Sequence, residues 1–170
     1  MLTLFIISMI IFFGYNIAII SKFGVPESLS NSFYILDDVK KGLGYLFTIA
    51  LYLTVFTLLP VWFSIGGNEN IEFLKFFSAA MLGFVGAAPL FKGSDKEYHG
   101  KFAIISAITG ILWIIFATPY WYLLLAIAML MIGLMLITKT KKSITYWLEM
   151  VMFIAIYLVI GIHFYIEKII

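Results

Sequence analysis

Six long apolar runs, separated by short segments that hold most of the charge, constrain this chain more than any other feature of it. A helix crosses a bilayer with about 20 mostly apolar residues. Within the hydrocarbon its backbone groups are satisfied inside the segment itself, which leaves helices and closed barrels as the spanning structures. The runs cover 2–20, 45–65, 71–91, 102–117, 119–138 and 144–166. Only Thr118 stands between the fourth and the fifth, which Pro119 opens; proline suits the first turn of a helix, so the pair reads as a tight helical hairpin. A single helix over both runs is too long for one crossing. The expected fold is all-α: a polytopic transmembrane bundle of about six helices in one membrane domain, residues 1–170.

Composition agrees. Of 170 residues, 64% are apolar and 12% charged, against roughly 45–50% and 25% in soluble domains. A soluble core of this size leaves many of those side chains unburied. The first run lacks a basic leading segment and a small-residue cleavage site, so it reads as a retained helix and not a signal peptide.

All eleven cationic residues are Lys, which removes the bidentate Arg fork and counts against nucleic acid as a partner. Cysteine is absent, which excludes disulfides, thiolate chemistry and Cys-bound metal. Nine Lys fall in alternate connections: 22, 40 and 41; 92, 96 and 101; 139, 141 and 142. Only Lys75 and Lys168 fall on the other side. Cytoplasmic loops carry the Lys excess, so the termini are expected on the non-cytoplasmic side. The first connection contains Leu29, Phe33 and Leu36 at helical spacing, widened by Ile35 and Val39. It predicts an amphipathic helix over about 26–41, lying in the cytoplasmic interface or plugging the bundle from below.

Small residues mark packing faces: Ala79, Gly83 and Ala87 with Gly86, then Ala103/Ala107 and Ser106/Gly110. The plainer reading is close helix packing; the sharper one is room for a ligand or a hinge near Pro89. Trp62, Phe63, Tyr120, Trp121 and Tyr122 fall at the outer ends of the runs and read as an interfacial aromatic belt.

Candidates for chemistry are few. An ionisable group within the membrane is costly and functional by default; Glu149, two turns into the last run, is one, with Asn16 at similar depth and able to share a hydrogen bond. The alternative pairs Glu149 with Lys141 or Lys142 at headgroup level. His163 lies near the outer end of the same run. On the cytoplasmic face His99 follows Asp95 and Glu97, and the same face carries Asp37, Asp38, Ser28, Ser30 and Ser32. His99, Asp95 and Asp38 are thus catalytic candidates, and Asn16, Glu149, Ser28 and Ser30 ligand-binding candidates, although polar residues are also what any loop on that face contains. No nucleophile elbow, zincin motif or other catalytic spacing is present. Ceramidase-like membrane hydrolases place a Ser, an Asp and three His around zinc, a pattern that a chain with two His does not meet. No metal and no cofactor is implied.

The strings KFGVPESLSNSFYIL, LLPVW, FVGAAPLFK and EYHGKFA resemble those of a family of small polytopic membrane proteins of bacteria and their tailed phages. The likeness covers residues 23–103, about half the chain. It implies a bacterial inner membrane, brings no catalytic residues with it, and points to Pro26, Ser28, Ser30, Pro60, Trp62, Pro89 and His99. Three classes of function follow. The first is a binding or interaction protein within the membrane, whose partners are lipid, a second membrane protein or further copies of itself. The second is a small transporter or channel, for which Thr54, Thr57, Ser78, Ser106 and Thr109 are the mid-membrane polar groups. The third is an enzyme acting on lipid at the cytoplasmic face.

Overall fold

A computed structural model describes residues 1–65, 69–87, 96–138 and 143–167. Among them the secondary structure is entirely helical: α1 (Leu2–Phe23), α2 (Asn31–Val39), α3 (Tyr45–Ser64), a single 3-10 turn (Glu69–Ile71), α4 (Phe73–Ala87), α5 (Lys96–Ala117), α6 (Trp121–Thr138) and α7 (Ile144–Glu167). Three of these, over Leu2–Phe23, Tyr45–Ser64 and Ile144–Tyr165, are long and apolar enough to cross a membrane. The described apolar stretches of the others are shorter: Phe73–Ala87, Lys101–Ala117 and Trp121–Leu136.

Successive long helices run antiparallel. Ser8 of α1 meets Thr54 of α3, and Tyr15 meets Phe47. Tyr52 of α3 reaches Gly83 of α4, while Lys75 at the start of α4 reaches Ile65 just after α3. Ser78 and Ser106 join α4 to α5, and Phe84 stacks on Phe102 at 5.0 Å. The connection from α5 to α6 is tight: Thr118 closes α5 onto the Ile114 carbonyl and its hydroxyl accepts the Tyr120 N–H. Pro119 therefore lies in the turn, and α6 begins at Trp121.

The last helix is the centre of the bundle. Tyr146, Met152, Phe153, Ala155, Ile156, Tyr157, Val159 and Ile160 are buried, which covers most of the circumference of α7. On α1 the buried residues are Phe5, Ser8, Phe12, Asn16 and Ile19, one stripe at helical spacing. That stripe lies between α3 and α7: Ser8 donates to the Thr54 carbonyl, while Phe12 stacks on Phe153 at 4.2 Å and Phe5 is tilted against Tyr157. From α5 come Trp113 and Ile114, both fully buried, and Gly110, which lets Ile156 and Met152 approach.

The outside is as apolar as the inside. Ile10, Phe56, Phe76, Ile104, Met129 and Leu148, one from each long helix, are each at least 60% exposed. In water such a surface aggregates; in hydrocarbon it is solvated.

Two expectations change with the fold. The helix foreseen from about residue 26 begins at Asn31, because the Glu27 carbonyl and the Leu29 N–H before it bond to α7 and not along a helix. Trp62 is 2% exposed and packs edge-on against Trp113 at 5.5 Å, so it belongs to the core and not to an interfacial belt, whereas Phe63, Trp121 and Tyr122 are exposed.

Candidate functional site

Four of the residues singled out in the sequence converge where the α1–α2 connection crosses the start of α7. Gly24 ends α1 in the left-handed region (φ 80), where a side chain is strained, and its N–H bonds to Ile20. The chain then runs as a strap over α7. The Val25 carbonyl accepts from the Ser143 hydroxyl, the Glu27 carbonyl accepts the Tyr146 N–H at 3.1 Å, and the Leu29 N–H donates to the Glu149 carboxylate at 2.7 Å. Free amides in the first turn of a helix need acceptors, and here a loop carbonyl supplies one. Ser28 then caps α2: its hydroxyl accepts the Asn31 N–H and lies 3.1 Å from the Ser30 hydroxyl. Ser32 bonds back to the Leu29 carbonyl and meets the Tyr15 hydroxyl at 2.7 Å.

Asn16 and Glu149 do not bond to each other. Tyr146 stands between them and donates its hydroxyl to the Asn16 side-chain carbonyl at 3.1 Å, while the Asn16 amide donates to Phe12. The carboxylate is instead spent on the strap. Lys141 and Lys142, the alternative partners of Glu149, lie outside the described residues, as do Asp95 and Pro89. The helical start of α5 at Lys96 takes in His99, whose side chain is also outside the description. Asp38 is exposed on α2. Its neighbour Asp37 accepts from Lys41 and from the Gly42 N–H, and the bond to Asp37 holds the Lys41 ammonium above its ordinary range. Among the described residues no three His, Asp or Glu side chains gather as a metal site would require.

Most of the mid-membrane hydroxyls are paired within the bundle; those of Thr48 and Thr54 are buried without a hydrogen-bond partner. Ser8, not foreseen as a site residue, donates to the Thr54 carbonyl at 2.9 Å and meets the Tyr157 hydroxyl at 2.7 Å. Ser78 and Ser106 exchange hydrogen bonds with each other's carbonyls at 2.9 and 2.8 Å. Thr57 and Thr109 bond back to carbonyls of their own helices, Leu53 and Ile105. A cavity of about 10 Å³ lies beside Asn16 and Thr54, at the lower limit for one water.

At the opposite end from the strap, Lys75 is fully buried. It forms an ion pair with Glu72, and its ammonium donates to the Trp62 and Ile65 carbonyls at 3.3 and 2.9 Å. The rings of Trp113 and Phe63 lie within 5.5 Å of it. A cation at the carbonyl end of a helix satisfies acceptors that have no helical donor and complements the dipole. Counted from the sequence among the charges of the non-cytoplasmic side, Lys75 is a buried cap on α3.

Beside it, α3 and α4 diverge around an open groove of about 410 Å³. Its floor is Ala79, Ala80 and Gly83, and its walls include Tyr52, Phe56, Pro60 and Phe76. The small-residue face of α4 therefore does two things: Gly86 packs on Leu51 and Tyr52, while Gly83 and the alanines leave space.

Compared with protein families, characterised proteins and solved structures, the chain matches none of them.

Proposed function

We propose that this chain is a six-pass protein of a bacterial inner membrane that works by binding a partner inside the bilayer. The observation that carries the reading is the contrast between a closed polar interior and an open apolar groove. A conduit needs polar groups that face a continuous path; here Ser8, Thr57, Ser78, Ser106, Thr109 and Tyr157 bond to one another or to carbonyls, and the unpartnered Thr54 hydroxyl is buried beside a cavity of only about 10 Å³. A hydrolytic site needs a nucleophile or metal beside a base, and Ser28, Ser30 and Glu149 are engaged in holding the strap and capping α2. Among the described residues a space is open between α3 and α4, and it is lined by apolar side chains.

Support for six crossings comes from the exposed apolar residue that each long helix presents and from the antiparallel order of the helices. Lys22, Lys40, Lys41 and Lys101 sit towards the end that holds α2, and this excess of positive charge supports a cytoplasmic location for that end, with both termini on the other side. The bacterial or phage setting rests on the sequence likeness alone.

The test is reconstitution into vesicles loaded with a pH- and ion-sensitive dye, with the lipids analysed afterwards by mass spectrometry. The reading expects ion and proton flux equal to that of empty vesicles and no new lipid product. Protein-dependent flux supports the transporter instead, and a lyso-lipid or free headgroup supports the enzyme.

A further inference from the structure

We infer that the strap and α2 form one lid, residues 25–41, hinged at Gly24 and Gly42, which lifts to uncover a polar recess at the end of the bundle that holds α2.

Backbone conformation marks the hinges. Gly24 and Gly42 have φ of 80 and 90, a region that L side chains avoid. A Cβ built at either meets nothing within 4 Å, so glycine stands there for its dihedral freedom and not for space. Near the second hinge the lid is self-contained. Asp37 accepts from Lys41 and from the Gly42 N–H, so these bonds at the end of α2 travel with it.

The hold on α2 is light. Of its nine residues Ser32 and Leu36 alone are buried, whereas Tyr34, Asp38 and Val39 are exposed. The polar ties described above fall at the leading end, through Val25, Glu27, Leu29 and Ser32. A segment with few buried apolar contacts opens at lower free energy than the packed helices around it. At the trailing end Phe33 lies against Gly44, where a Cβ would come within 2.7 Å of both its ring and its carbonyl. Gly44 has ordinary helical dihedrals (φ −54), so what excludes a side chain there is the seat of the lid and not the backbone.

Beneath the lid lies the polar group of that end. Leu29 is buried and lines the small cavity between α1 and α3 together with Tyr15, Asn16 and Thr54. The Tyr146 hydroxyl bonds to Asn16, the Glu149 carboxylate to the Leu29 N–H, and the Tyr15 hydroxyl to Ser32. Such groups are costly to hold within a membrane. Withdrawing Leu29 and Ser32 gives the Glu149 carboxylate and the Tyr15 hydroxyl to water. Opening stops there: Phe12 stacked on Phe153 closes the next layer, so the lid uncovers a recess and not a conduit.

The experiment is amide hydrogen exchange of the full chain in lipid nanodiscs, read by mass spectrometry, with single-cysteine labelling beside it. Residues 25–41 are expected to exchange as a block, with one opening constant larger than those of α1 and α7. Ser32→Cys, buried under the lid, is expected to react with a water-soluble maleimide faster than Ser8→Cys, buried in the bundle. Gly44→Ala, which wedges Phe33 off its seat, is expected to raise the opening constant and the Ser32→Cys rate about tenfold, the low end of the effect of overpacking, with exchange in α1 and α7 unchanged. Exchange of 25–30 at a rate unlike that of 31–41 overturns the single lid, and labelling of Ser32→Cys no faster than of Ser8→Cys overturns its opening. A Gly44→Ala effect spread equally over the bundle shows α2 to be a fixed part of it and overturns the proposal as well. Where Ser32→Cys does not fold, exchange in the unaltered chain decides alone.

Discussion

Replacing Lys75 with Met tests the most demanding feature of the bundle. Met keeps most of the apolar stem in place, so the change isolates the ammonium. What is lost is a charged donor to two carbonyls at the end of α3, the Glu72 ion pair, and contact with the Trp113 and Phe63 rings. Hydrogen bonds to charged groups contribute about 1.5–3 kcal/mol each, and a buried acceptor left unmade costs about 1–3 kcal/mol. Because Glu72 is 31% exposed, its side of the pair is screened and contributes about 1 kcal/mol or less. Lys75→Met is therefore expected to destabilise by about 3 kcal/mol, at the low end of breaking a buried pair, and Glu72→Gln by about 1 kcal/mol or less. The assay is reversible unfolding in mixed micelles at rising SDS fraction, followed by far-UV circular dichroism and by the fluorescence of Trp62 and Trp113 beside the site. A loss below about 1 kcal/mol for Lys75→Met, or a Glu72→Gln loss equal to it, refutes the reasoning. The first means that the carbonyl caps carry no energy, the second that the ion pair carries all of it.

Other substitutions read the packing and the strap. Gly110→Ala is expected to cost about 1–3 kcal/mol, because a Cβ there meets the Ser78 hydroxyl at 3.1 Å and Ile156 at 3.4 Å. Gly83→Ala, with nothing within 4 Å, is expected to be neutral or to stabilise by about 0.5–1 kcal/mol; the same unfolding curves check both. Ser78→Ala with Ser106→Ala removes the reciprocal bonds at 2.9 and 2.8 Å and is expected to cost about 1 kcal/mol in a double-mutant series. Glu149→Ala leaves the Leu29 amide without its acceptor, and is expected to cost about 1–3 kcal/mol and to raise hydrogen exchange at residues 25–30 selectively. Unchanged exchange there shows that the strap is held without the carboxylate.

Hydropathy and helical spacing made the all-helical class legible, because a run of apolar residues tells its environment without knowing its neighbours. The candidate site was legible in its members and not in its wiring. Ser28 and Ser30 bond to each other beside the Leu29 amide that Glu149 receives, but Asn16 and Glu149 are separated by Tyr146, whose side chain reads as one more aromatic in an aromatic-rich helix. Strap pairings such as Glu27 with Tyr146 are backbone bonds between distant segments, which leave no mark on residue type. Ser8 had a signal that could have found it: with Asn16 it interrupts the otherwise apolar stripe Phe5, Phe12 and Ile19. From the sequence, Lys75 counts only as one of two lysines on the non-cytoplasmic side. Its burial depends on where the end of α3 and Trp113 come to rest, and local sequence carries no record of that.

The central claim is a bundle with six crossings and both ends on the non-cytoplasmic side, and the absence of cysteine makes it directly testable. Single substitutions Asp38→Cys, Asn70→Cys, Tyr120→Cys and Tyr165→Cys, with Phe76→Cys, Ile104→Cys and Met129→Cys, are labelled in intact cells by a membrane-impermeant maleimide and again after lysis. The account predicts labelling from outside at positions 70, 120 and 165, at position 38 only after lysis, and at 76, 104 and 129 by neither treatment. Labelling of position 38 from outside together with 165, or ready labelling of 76, 104 or 129 by the impermeant reagent, contradicts it.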